Sequence, residues 1–182
     1  MSIPPLNRTP ILDKGFVATY DVSCGSIKLN EISAEFYKRL DSKFLADTSS
    51  LTLMIKCPLF VQLNLSTFNL KITNLPNIGS DVLETYCPNV GEIGAASLDV
   101  CQSISDDMKR TSAALLMNHK AYQTDGCNRF MAQILTPINT YTTILVFGMY
   151  NDWCRYTSQR NIPAPINAYI SAVDKILKAE WP

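Results

Sequence analysis

Tyr141-Thr142-Thr143-Ile144-Leu145-Val146-Phe147 is the clearest strand in the chain, rich in β-branched and aromatic residues with no glycine or proline. Helical patterns lie on both sides of it. Before it, Cys127 to Leu135 reads as a helix stopped by Pro137. After it, Met149 to Tyr156 reads as a short helix. Pro163-Ala164-Pro165-Ile166 then opens a last helix to about Ala179, with Ile166, Ile170, Val173 and Leu177 as its apolar stripe.

The same reading extends to the N-terminus. Residues 1–10 carry three prolines and read as an extended arm ahead of a single domain over 11–182. Gly15 to Val22 and Leu51 to Cys57 read as strands. Between them, Leu29, Ile32, Phe36, Tyr37 and Leu40 at helical spacing predict an amphipathic helix over about 30–45. Pro58 stands where proline is favoured, at the first position of a helix through Leu63. Leu65 to Thr73 drifts toward alternation, and helix and strand both stay open there. Pro76, Gly79, Pro88 and Gly91 mark a loop over about 74–92. Ile93 to Tyr122 reads as one helix or two, with Leu98, Cys101, Ile104, Met108, Ala113 and Leu116 inward. Strands interleaved with helices and no repeat predict an α/β or α+β domain.

Composition narrows the function classes. The 182 residues are 47% hydrophobic, which excludes disorder, and only 18% charged, which leaves an uncharged surface suited to burial in an oligomer. Sixteen basic residues balance sixteen acidic ones, so the electrostatic footprint of a general nucleic-acid or anionic-membrane binder is missing. The longest uncharged run, Phe130 to Asn151, holds Gln133, Pro137 and Asn139, and its purely apolar part is too short to span a bilayer. The six cysteines show no paired spacing for zinc, and the N-terminus has no signal-peptide pattern. Reduced core thiols in a cytoplasmic protein are the expectation.

Little chemistry is visible unaided. Neither standard phosphate-binding glycine motif, nor a GxSxG elbow, nor HExxH occurs. The single histidine, His119, sits near a helix end and reads as a solvated or capping residue. Asp106 and Asp107 are adjacent in a helix, point about 100° apart, and read as a solvated face.

Three collinear stretches nevertheless resemble the flavin-dependent thymidylate synthases. Ile11 to Val22 looks like that family's opening strand. Leu51 to Val61 is similar to the strand and helix start that lead into its signature. Gly126 to Thr142 resembles its Gly-x-x-Arg-Glu-x-Ala-Arg helix, with the stop and strand start that follow. The resemblance implies a central mixed or antiparallel sheet flanked by helices. It also implies a homotetramer with shared active sites, converting dUMP to dTMP with FAD, NADPH and methylene-tetrahydrofolate.

The signature residues of that family are replaced here. Counted from Pro58, its Arg-His-Arg falls on Thr67-Phe68-Asn69, and the rest of the signature keeps only Asn74. Its Glu-His pair becomes Asp47-Thr48, and the third stretch has Phe130 and Gln133 where the family has Glu and Arg. Two flavin-facing asparagines land on Met149 and Arg155. No arginine occurs between Arg39 and Arg110. FAD and dUMP together bring three phosphates, which need a backbone nest or guanidinium forks. Each lost charge-assisted contact costs about 1.5–3 kcal/mol.

Two function classes follow. The first is a divergent homologue without the dUMP methylation, needing no cofactor and serving as an oligomeric interaction or structural protein. Such a protein would be a homo-oligomer, the partner of an active paralogue, or a component of a viral particle in the host cytoplasm. The second is an altered enzyme that binds a pyrimidine deoxynucleotide such as dUMP, with FAD if the family site survives. Its anchors would be Asn64, Arg129, Arg155 and Arg160, with cysteine or tyrosine as the reacting group. Surface ion pairing is the other reading of those arginines.

Overall fold

A computed structural model describes residues 8–24, 27–28, 48–75, 83–93, 97–127 and 136–180. The expected helix over 30–45 and all but Cys127 of the one over 127–135 lie outside them. So do residues 1–7 of the expected arm.

The protein is an α/β chain. Its strands among the described residues are β1 (Arg8–Ile11), β2 (Gly15–Cys24), β3 (Ile27–Lys28), β4 (Ser49–Pro58), β5 (Lys71–Asn74) and β6 (Tyr141–Met149). They form one sheet in the order β1-β2-β4-β6-β5, with β3 paired to β2 off that path. The β1–β2, β2–β3, β2–β4 and β5–β6 pairs are antiparallel. The helices among the described residues are α1 (Leu59–Leu65), α2 (Val90–Ile93), α3 (Leu98–Thr124), α4 (Tyr150–Thr157) and α5 (Ala164–Glu180). The three strands and the two last helices expected from the sequence therefore form, each within a few residues of the expected bounds. Pro58 differs slightly, ending β4 one residue before α1 begins. The undecided stretch after Leu65 resolves as the end of α1, a turn, and edge strand β5. Arg8, Thr9 and Pro10, assigned to the arm, pair with Ala18, Val17 and Phe16.

Contacts divide the chain into two compact units, Met1–Cys57 with Val61–Ile78 and Thr142–Pro182, and Pro58–Phe60 with Gly79–Tyr141. In the first, alternate β4 residues Leu51, Leu53, Ile55 and Cys57 are wholly excluded from solvent, the period-2 pattern of a face packed on the core. Ile144 and Val146 of β6 join them. Helix α5 lies against β1, β2 and α4, burying Tyr169, Ile170, Ala172, Val173 and Leu177. Three of the four expected stripe residues are thus buried, and Ile166 is half-buried.

Two glycines mark close approaches. The Tyr169 hydroxyl donates to the Lys56 carbonyl at 2.9 Å. A Cβ on Gly15 would collide with that hydroxyl and lie 2.8 Å from the Ile11 carbonyl oxygen. A Cβ on Gly148 would collide with Leu70 and sit 3.0 Å from Trp153 Nε1. That indole is itself buried and donates to the Leu51 carbonyl at 3.0 Å.

The second unit is built on α3, capped at its start by Ser97, whose Oγ accepts from the Val100 amide. Its buried residues are Cys101, Ser105, Ser112 and His119, and this corrects the expected inward face. Of the six residues expected inward only Cys101 is buried; Leu98 is 76% exposed, and Ile104 and Met108 are exposed as well. The cause is hydrogen bonding. Ser105 Oγ donates to the Pro88 carbonyl at 3.1 Å. Asn139 Nδ2 donates to Ser112 Oγ at 3.0 Å and to the Tyr86 carbonyl at 2.7 Å. The loop over 136–140 thus docks on a small, polar stripe of α3 where an apolar one was expected.

Candidate functional site

The sequence points to Asn64, Arg129, Arg155 and Arg160. Arg129 lies outside the described residues. The other three lie in the first unit, where one hydrogen bond joins the end of α1 to the turn after α4. Asn64 stands in the last turn of α1, and its Nδ2 donates to Gln159 Oε1 at 3.1 Å. Gln159 is anchored in turn by a bond from its Nε2 to the Tyr156 carbonyl, at 2.9 Å. Arg160 follows directly, ahead of Asn161, whose φ of 56° sets the turn into α5 in a left-handed conformation that asparagine tolerates. Arg155 is exposed on α4, and its carbonyl accepts from Ser158 Oγ. Arg155 and Arg160 are both exposed and make no ion pair among the described residues, so the expected surface pairing is not seen there.

Beneath these surface groups lies a set that the sequence did not single out. The Asn64 Oδ1 and the Tyr156 hydroxyl are buried and have no hydrogen-bond partner among the described residues. Tyr156 stacks edge-on against Phe68 at 5.4 Å and against Trp153 at 6.0 Å. Cys57 faces the same interior. Burial pushes its thiol far above the ordinary range, opposed only weakly by a backbone hydrogen bond at Gln62. Burial, with the nearby Cys57 second, raises the Tyr156 hydroxyl likewise. On α4, a hydrogen bond with Cys154 and partial burial raise Tyr150. Each of these groups is held in its neutral form, and none is a ready nucleophile or base near neutral pH.

Thr67, Phe68 and Asn69, where the expected resemblance would put Arg-His-Arg, are exposed, half-buried and exposed, and each contacts its own unit. Thr67 Oγ1 donates to the Asn64 carbonyl at 2.7 Å. Phe68 fills the contact with Tyr156. Asn69 Nδ2 reaches Asp152 Oδ2 at 3.4 Å, and Asp152 is a buried carboxylate that no sequence pattern marked.

His119 corrects another expectation. It is a buried residue of α3, neither solvated nor capping, with Nδ1 placed 3.4 Å from Thr136 Oγ1. Cys57 and Cys101 are buried as expected of core thiols, Cys87 and Cys154 are half-buried, and Cys127 is exposed. Among the described residues no three His, Cys, Asp or Glu side chains converge as metal ligands, and no helix is long and apolar enough to cross a membrane. No protein-family model matches this chain, and a comparison with curated proteins finds no match.

Proposed function

We propose that this chain is a divergent homologue of the flavin-dependent thymidylate synthases without dUMP-methylating activity of its own. It serves as a cytoplasmic, oligomeric interaction or structural protein, cellular or viral, alone or as the partner of an active paralogue. One observation carries this reading. Thr67, Phe68 and Asn69 stand where the family's phosphate-binding signature would fall, and they make packing and hydrogen-bond contacts within the first unit. A site for FAD and dUMP needs guanidinium forks or a backbone nest for three phosphates. The neutral, buried Cys57 and Tyr156 supply no charge in their place. The visible spectrum of the purified protein and a thermal-shift titration with FAD and dUMP test the reading. A colourless protein that responds to neither is expected. Ligand at a hundred times its Kd would stabilise by about 2.7 kcal/mol, so a yellow protein or a shift of several degrees with FAD overturns it.

A second reading, an altered enzyme holding a pyrimidine deoxynucleotide, is favoured by one specific observation. Arg155 and Arg160 are exposed without ion pairs among the described residues, close in sequence to the Gln159 that bonds Asn64. Titration with dUMP and dCMP decides it. Tight binding that Arg160→Ala weakens by about 10- to 100-fold would establish that reading, whereas millimolar binding unmoved by the substitution ends it.

A further inference from the structure

We draw no further inference here: the strongest candidate, the surface patch of exposed Ile104, Met108 and Tyr122 along helix α3, carries nothing, because nothing in the structure shows what covers it.

Discussion

Gly15 is a glycine because three groups occupy the space a side chain would need. The Tyr169 hydroxyl, the Ile11 carbonyl and the Lys56 carbonyl crowd the point where a Cβ would stand, and two of them are backbone atoms that cannot swing away. Gly15→Ala is therefore expected to cost about 1–3 kcal/mol of overpacking, lowering the melting temperature by several degrees at about 2–4 °C per kcal/mol. Tyr156 gives the opposite expectation. Its hydroxyl is buried with no partner among the described residues, so Tyr156→Phe removes a desolvated group and keeps both aromatic contacts. Unfolding in urea should show the variant equal to or more stable than the unaltered protein; a large loss would mean that the hydroxyl holds something. Cys57 links stability to alkaline pH. Burial raises its folded-state pKa above the ordinary 9.0, so the unfolded chain releases that proton first as pH climbs. The stability is whole below pH 9 and falls above it by about 1.4 kcal/mol per pH unit for one such group. Between pH 7 and 10, Cys57→Ala should lose about 1.4 kcal/mol less stability than the unaltered protein does.

At the scale of elements, legibility followed the source of the packing energy. Strands β2, β4 and β6 and helices α4 and α5 bury apolar side chains at the period of their own backbone, and those periods are written in the sequence. Helix α3 was legible as a helix, yet its orientation was not. Apolar periodicity turns Leu98, Ile104 and Met108 inward, while the fold turns Ser105, Ser112 and His119 inward because Pro88, Asn139 and Thr136 bond there. Such partners are 17 to 27 residues away in the chain, and no local pattern announces them. The candidate site shows the same division. Asn64 and Arg160 were legible as polar positions, but the Asn64–Gln159 bond beside Arg160 spans 95 residues, and Asp152 carries no local signal because its partner Asn69 is 83 residues away. Asn139 is the group on which the α3 docking turns. Asn139→Ala would strip donors from the Tyr86 carbonyl and Ser112 Oγ inside a buried contact. Urea unfolding should register a loss of about 2–4 kcal/mol, and a loss under 1 kcal/mol would mean that the 136–140 loop is held chiefly by other contacts.

For the whole molecule, a charged fraction of 18% and the exposed Leu98, Met117 and Tyr122 of α3 point the same way. Both leave apolar surface in water that association would remove, and removal of apolar surface is the dominant favourable term in most protein association. If folding and association are one process, stability depends on protein concentration. Each tenfold rise in concentration favours a dimer by about 1.4 kcal/mol per mole of dimer, shared between two chains. At about 2–4 °C per kcal/mol for a chain of this size, a hundredfold concentration series should raise the melting temperature by about 3–6 °C. A melting temperature independent of concentration in the unaltered protein would mean that the chain folds without help from another copy.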